Sequence, residues 1–223
     1  MIRFIMKKTF FLFALVVLFP SSCDDGTRKS YWDNGNLKSE LSYDGDVLNG
    51  TCTWYYENGR KQFQVDYQNN KMNGKMTRWY ENGNIMEDGF YKDGELDSIY
   101  HSYSLKGILA SEEHYSDGKL NGPIVKWYEN GQVFTEGQFV DGMMDGSWMM
   151  FYSDGALAST ANYVMGTGQQ IGYEMSGYKC LVTNYVDNQK HGLETYYNPD
   201  GTVAKTTVYE YGEEVETTFH GGE

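Results

Sequence analysis

A glycine that returns at a nearly constant interval constrains the fold more than any other feature of this chain. It ends words such as YYENG (55–59) and WYENG (79–83 and 127–131). The anchor glycines are Gly35, Gly59, Gly83, Gly107, Gly131, Gly155, Gly177 and Gly201. Their period, about 24 residues with one slightly shorter interval before Gly177, is typical of stacked repeat units, each of them one supersecondary element. Positions within a unit are counted below from its anchor glycine.

Two aromatic columns define the units. Positions −4 and +8 are aromatic in every unit, although aromatic residues make up only 16% of the chain. The −4 column is Tyr31, Tyr55, Trp79, Tyr103, Trp127, Phe151, Tyr173 and Tyr197, and the +8 column is Tyr43, Tyr67, Tyr91, Tyr115, Phe139, Tyr163, Tyr185 and Tyr209. Position +2 is apolar in six units. Because alternate residues of a strand share a face, these even offsets predict one packed face that carries all three columns.

The turns make each unit a β-hairpin. The columns before and after the turn all lie at even offsets, and they can share a face only if the loop has an odd number of residues. This predicts a three-residue loop that ends with the anchor glycine in a left-handed conformation. Asp93-Gly94, Asn121-Gly122, Asp141-Gly142 and Asp145-Gly146 predict a second turn, with an apolar residue at +13. A lone hairpin is unstable, so the hairpins must stack. The predicted fold is all-β: an elongated single-layer antiparallel sheet of about eight hairpins and about sixteen strands.

The spaced words W/Y-Y-E-N-G and F/Y-x-D-G-x-x-x-G resemble the MORN repeat, in particular a variant common in bacteria that includes antitoxin-like proteins. The resemblance covers Tyr31 to Val215. It implies an elongated sheet with a groove, acting as a scaffold in protein binding or, in some members, in lipid contact. Two departures stand out: Ser98 replaces the last glycine of the third unit, and Ala161 to Gly177 contains an insertion and a deletion.

The N-terminal residues follow different rules. Arg3, Lys7 and Lys8 precede an apolar run from residue 10 to 19, which is shorter than the ~20 residues needed to span a bilayer. This pattern indicates a secretory signal peptide. The segment that ends in Cys23 resembles a bacterial lipoprotein signal, which implies a lipid on Cys23. Simple cleavage and an uncleaved anchor are the alternatives.

These patterns predict four segments and a location. The segments are a signal peptide (1–22), a linker (23–30), the repeat array (31–215) and a C-terminal tail (216–223). The predicted location is the cell envelope, as an outer-membrane lipoprotein that faces either the periplasm or the cell surface.

Charge narrows the choice of partners. The whole chain has a formal charge of −13, and loss of the three basic residues in 1–22 makes it −16. Such a chain repels nucleic acid and anionic head groups. Membrane association is therefore expected through Cys23 alone, while a protein partner is favoured and the acidic charge would suit a basic one.

No catalytic or metal-binding pattern is evident. Cys52 and Cys180 lie five units apart, which excludes a disulfide within a straight array; we expect buried free thiols or pairing between chains. His101, His114, His191 and His220 lack metal-ligand spacing and are expected at the surface. Adjacent carboxylates such as Glu112 and Glu113 should point to opposite faces. We expect no enzyme activity, no cofactor and no metal, and acidic residues near the second turns are read as turn formers.

Position −3 supplies the candidate site. It is aromatic in five units and faces away from the predicted packing columns: Trp32, Tyr56, Tyr80, Tyr128 and Tyr152. Such a row suits partner binding, or else it is a ladder that stabilises the sheet. The predicted function is a non-catalytic, envelope-anchored scaffold that binds a protein. The alternatives are an antitoxin-like or immunity protein and a carbohydrate-binding surface protein. The sequence does not indicate the oligomeric state.

Overall fold

The structure is a computed structural model that describes residues 26–221, and in this range nineteen β-strands form one open antiparallel sheet. Each long strand pairs with the long strands before and after it in the chain, whereas the short β3 and β8 pair only with β2 and β7. The sheet is therefore a continuous meander with β1 and β19 at its edges. The predicted all-β sheet of hairpin repeats is confirmed. Cys23 and the predicted signal peptide lie outside the described residues.

The strands follow the period of the anchor glycines. They are β1 (Thr27–Tyr31), β2 (Leu37–Asp44), β3 (Val47–Leu48), β4 (Gly50–Tyr55), β5 (Lys61–Gln68), β6 (Lys71–Trp79), β7 (Ile85–Lys92), β8 (Glu95–Leu96), β9 (Ser98–Tyr103), β10 (Leu109–Ser116), β11 (Lys119–Trp127), β12 (Val133–Val140), β13 (Met143–Phe151), β14 (Leu157–Val164), β15 (Thr167–Tyr173), β16 (Lys179–Val186), β17 (Gln189–Tyr197), β18 (Val203–Glu210) and β19 (Glu213–Phe219). The count exceeds sixteen because β3 and β8 are short pieces next to β4 and β9, and because β19 follows the eighth hairpin. Since β1 starts at Thr27 and β19 ends at Phe219, the sheet extends beyond both predicted limits of the array, 31 and 215.

The loop at the anchor glycine has the predicted form. In the second unit, Tyr56 N donates to Arg60 O at 2.8 Å and Gly59 N donates to Tyr56 O at 2.9 Å, which leaves a three-residue loop from 57 to 59. All eight anchor glycines have φ between 80° and 94°. A side chain is unfavourable in this left-handed conformation, which accounts for the glycine in every unit.

The second turn is a tight two-residue turn. Asn69 and Asn70 have φ of 51° and 64°, and Gln68 pairs directly with Lys71, as in a type I′ turn. Asp93-Gly94 and Asp141-Gly142 form such turns, as predicted. The other two predicted turns are wrong: Asn121-Gly122 lies inside β11 and Asp145-Gly146 inside β13. Their glycines instead accompany irregular pairing within the strands, where β10 meets β11 and β12 meets β13.

A β-bulge beside each anchor loop changes which columns share a face. In the second unit Tyr55 pairs with Lys61, whereas Trp54 pairs with Phe63, so β5 contributes one extra residue. Every hairpin has this shift. The extra residue reverses the alternation of side chains. Positions −4 and +2 therefore share one face, and the prediction that +8 lies with them is wrong.

The core lies on the face that carries positions −7, −5, +4, +6 and +8, which we call the packed face. Its buried apolar residues are Cys52, Val65, Met76, Ile124 and Tyr163. Aromatic rings meet along it, with centroids 5.1 Å apart for Phe139 and Trp148 and 5.6 Å apart for Tyr163 and Tyr185. The +8 column thus packs as expected. The −4 and +2 columns contain no buried side chain, because they lie on the opposite side, which we call the open face.

Candidate functional site

The five aromatic residues at −3 join neighbouring units. Each is half-buried and donates a hydrogen bond to the main-chain carbonyl at −4 of the following unit. The donor atoms and acceptors are Trp32 Nε1 to Tyr55 O (3.1 Å), Tyr56 Oη to Trp79 O (2.7 Å), Tyr80 Oη to Tyr103 O (2.8 Å), Tyr128 Oη to Phe151 O (2.9 Å) and Tyr152 Oη to Tyr173 O (2.8 Å). Burial raises the pKa of Tyr56 and Tyr152, which keeps these hydroxyls protonated at neutral pH.

The asparagine at −1 makes a second set of bonds between units. Asn130 Oδ1 accepts from Gln132 N at 3.0 Å within its own loop, and Asn130 Nδ2 donates to Ser153 O of the next unit at 2.7 Å. Asn34, Asn58 and Asn82 do the same. An amide suits this position because its acceptor and its donor are two separate atoms, which can reach the two partners at once. We call the bonds from −3 and −1 together the joint ladder.

The joint ladder is interrupted between the fourth and fifth units, and the seventh unit also lacks both residue types, with Glu174 at −3 and Ser176 at −1. Ser104 replaces the aromatic residue at −3, and its Oγ accepts from Lys106 N and Ile108 N of its own loop. Lys106 replaces the asparagine, and its Nζ lies 2.6 Å from Glu129 Oε2 in an exposed ion pair. An exposed pair of this kind contributes little stability in water.

The structure therefore places the predicted partner-binding stripe at the joints between units. Its polar atoms are engaged with main-chain carbonyls, which matches the ladder alternative given for the same residues. A direct role of Trp32, Tyr56, Tyr80, Tyr128 and Tyr152 in partner binding stays a prediction.

The open face carries an accessible apolar surface that the sequence reasoning assigned to the core. Positions −4 and +2 lie opposite each other beside every anchor loop, and we call this row the apolar ribbon. Tyr31 is 60% exposed, Ile85 36% and Leu157 37%. Within residues 26–221, no second layer of secondary structure covers this row. The β-bulge would have identified this row from the sequence. The bulged position carries different residue types in different units, so the sequence does not reveal it.

Acidic residues run beside the apolar ribbon. Position +5 is Glu40, Asp88, Glu112 and Glu136 in four of the first five units. Lys29 Nζ lies 3.0 Å from Glu40 Oε1. Over the first five units, the open face therefore combines apolar side chains with carboxylates.

Two of the predicted surface histidines meet on this open face and are half-buried. His101 Nδ1 lies 2.8 Å from Asp88 Oδ1 and its Nε2 lies 3.3 Å from Glu112 Oε2. His114 Nε2 lies 3.5 Å from Glu112 Oε1. Cross-strand pairing of β9 and β10 explains this proximity, which the spacing in the sequence did not reveal.

Glu112 and Glu113 point to opposite faces, as predicted. Glu113 Oε2 accepts from Tyr115 Oη at 2.7 Å on the packed face. In the part of the chain that is described, no three His, Cys, Asp or Glu side chains form a group that could hold a metal ion.

The two cysteines of the array are free thiols. Cys52 is buried as expected, whereas Cys180 is only half-buried, because position +3 lies at the bulge rather than in the packed face. Burial raises the pKa of both thiols, which keeps them protonated and poorly nucleophilic at neutral pH.

Among residues 26–221 no helix has the length and hydropathy of a membrane span.

Comparison with known proteins finds one family of repeats that is similar to five segments of the chain. The sequence model described as the MORN repeat variant matches residues 24–44, 48–69, 72–93, 120–141 and 190–211. No curated protein matches the chain. Among solved structures, a chain of the "Crystal Structure of TcdB2-TccC3-Cdc42" is similar at 14% identity and a TM-score of 0.19, over 86% of this chain and 14% of that chain.

Proposed function

We propose that this array of MORN-variant repeats is a non-catalytic scaffold that binds a protein partner through the apolar ribbon. The single observation that carries the proposal is that the −4 and +2 side chains stay accessible along one face of an open sheet. A row of apolar groups rimmed by polar residues marks interaction sites on soluble proteins. The fold supplies length and regularity, since each hairpin offers the same two positions to the same face.

The partner we expect has apolar side chains flanked by basic ones. Glu40, Asp88, Glu112 and Glu136 lie beside the apolar ribbon, and the chain as a whole is acidic. Complementary charge raises association rates and suppresses acidic competitors. An antitoxin-like or immunity role is the case in which this basic partner is a toxin.

We further propose that a lipid on Cys23 holds the array at the cell envelope. The proposal rests on the sequence from Met1 to Cys23 alone. Cys23→Ala should release the protein from the membrane fraction, and a variant that still sediments with membranes after a high-salt wash would contradict the anchor.

Crosslinking in living cells tests the ribbon. A photoreactive amino acid at Leu157 should capture one predominant protein, whereas the same group at the exposed Val164, which lies at the far end of β14, should not. The captured protein is then purified and titrated against the scaffold. Ile85→Ser and Leu157→Ser should each weaken binding at least tenfold, while Val164→Ser leaves it unchanged.

Two results would contradict this function. Equal weakening by Val164→Ser would mean that the apolar ribbon is not the contact surface. Binding of oligosaccharides that depends on Trp79 and Trp127, with no protein captured, would favour the carbohydrate-binding alternative.

A further inference from the structure

A cavity of about 220 Å³ lies on the packed face, on the other side of the sheet from the apolar ribbon. Trp148, Met150, Ala161, Tyr163 and Gln170 are among the residues that line it. They come from β13, β14 and β15, the region in which the repeat spacing shortens. The cavity is therefore a local feature of the fifth to seventh units rather than a property of every unit.

Small residues at core positions account for the cavity. Position +6 carries Gly137 in the fifth unit and Ala161 in the sixth. The unit anchored at Gly59 has the fully buried Val65 at this position. The indole of Trp148 lies directly over Gly137, where an added Cβ would come within 2.2 Å of Trp148 Cδ2. The ring is also held edge-on by Phe139 and Tyr163, at centroid distances of 5.1 and 6.4 Å. Trp148 is thus fixed in place beside an unfilled volume.

Gln170 and Trp148 are polar groups in the cavity lining that differ in their hydrogen bonding. Gln170 Nε2 donates to Ser159 Oγ at 2.9 Å, and Gln170 Oε1 accepts from Tyr185 Oη at 3.1 Å. Trp148 Nε1 is buried and has no acceptor, and it is the one such side-chain atom among the described residues. A buried donor without an acceptor destabilises the fold. A ligand group that accepts a hydrogen bond from this N–H would relieve that penalty and gain affinity from it.

We propose that this cavity binds a small, mainly apolar molecule that carries one hydrogen-bond acceptor, which Trp148 Nε1 recognises. The lining of aromatic, methionine and alanine side chains suits an apolar body, and the buried indole donor selects an acceptor. An engineered cavity of about 150 Å³ holds benzene, so this volume suits a compact molecule of about nine non-hydrogen atoms. The proposal is independent of the apolar ribbon, which lies on the open face.

A matched pair of probes tests the proposal on the full chain. Acetophenone and α-methylstyrene have the same shape, but only acetophenone has a carbonyl acceptor. Acetophenone should shift the Trp148 indole N–H resonance downfield in a saturable titration and leave the other four indoles unmoved. We expect α-methylstyrene to bind at least tenfold more weakly. Equal affinity for the two probes, or no saturable shift, would overturn the proposal.

Three variants check the location by ligand-observed NMR. Trp148→Phe should abolish the preference for acetophenone, and Ala161→Leu should abolish binding by filling the cavity. Trp54→Phe is the matched control, because Trp54 packs on Phe63 in the second unit, and it should bind acetophenone as the unaltered chain does. Retained preference in Trp148→Phe, or retained binding in a folded Ala161→Leu chain, would overturn the proposal.

Discussion

Glu194 is the one acidic residue buried in the packed face of the eighth unit, at position −7, where three other units have Cys52, Met76 and Ile124. It is 1% exposed, and it accepts hydrogen bonds from Thr183 Oγ1 at 2.8 Å, Tyr196 Oη at 2.9 Å and Lys190 Nζ. Burial alone would raise the pKa of Glu194, but these three donors together lower it below its ordinary value. The charged carboxylate therefore stabilises the fold.

Replacement of Glu194 should change how stability depends on pH. A lowered folded-state pKa gives stability that is present above the unfolded pKa of about 4.3 and is lost as pH falls below it. Glu194→Gln should reduce the free energy of unfolding at pH 7 by about 2 kcal/mol, because hydrogen bonds to a charged group are lost. This is less than for a fully buried ion pair, because Lys190 is 35% exposed.

Urea unfolding at pH 7 and pH 3 measures the effect of Glu194→Gln. The difference from the unaltered chain should shrink at pH 3. Glu210→Gln, at an exposed position, is the control and should differ little at either pH. A difference for Glu194→Gln that is the same at both pH values would contradict the proposed role of the charge.

Ser98 occupies position −9, at which every other unit has glycine. Its φ is 79°, and all of these glycines except Gly168 also have positive φ. We expect Ser98→Gly to raise the free energy of unfolding by about 0.5–1 kcal/mol, because relief of the left-handed strain exceeds the entropic cost of glycine. Ser147→Gly in β13, where φ is not positive, should instead destabilise the chain by a similar amount. Thermal unfolding measures the melting temperature of both variants. A change in the same direction for both would contradict the argument that Ser98 is strained.

At the scale of the hairpin, the three-residue loop could be predicted from the sequence, because every unit has the evenly spaced columns and the glycine that ends the loop. It did not predict the bulge, since the extra residue at +3 is Gln62, Met86, Ala110 or Phe134 in different units. It also missed the −7 column, whose members range from Cys52 and Met76 to Trp148 and Glu194. Periodicity shows columns of one chemical type, and it cannot show a core column in which polar partners replace apolar ones.

The tyrosines of the joint ladder should contribute through their hydroxyls. Tyr80→Phe removes the donor to Tyr103 O and should lower the free energy of unfolding by about 1 kcal/mol. Tyr211→Phe is the matched control, because Tyr211 is 66% exposed. It should change stability by no more than about 0.5 kcal/mol, as is usual for a surface substitution. Chemical denaturation measures both variants, and if the two changed stability equally, the ladder bond would have no measurable role.

The asparagines of the joint ladder allow a sharper substitution. Asn130→Asp keeps the acceptor for Gln132 N but loses the donor to Ser153 O, and we expect a loss of about 1 kcal/mol. Asp200→Asn, in the last unit, gains a donor with no following loop to receive it and should be close to neutral. Circular dichroism during thermal unfolding measures both. A neutral Asn130→Asp would show that the local acceptor is all that this position needs.

At the scale of the whole molecule, the sheet has no closed core, so stability should vary along its length. β19 is one of the two edge strands and is mostly exposed, with Phe219 79% exposed, and it pairs with β18 alone. The amides of β19 that bond to β18 should therefore exchange with solvent among the fastest of the strand amides, and those between β11 and β12 among the slowest. Native-state hydrogen exchange measures this gradient. Uniform protection of all strands would indicate all-or-none unfolding.

The joint ladder has one further property, which concerns how such a chain can grow. Its donors are side chains of one unit, but its acceptors are main-chain carbonyls of the next, and every amino-acid sequence provides those. A duplicated unit that carries the aromatic residue and the asparagine can therefore precede any other unit without matched changes in it. Joints of this kind let the number of units and the residues displayed on the open face change independently during evolution.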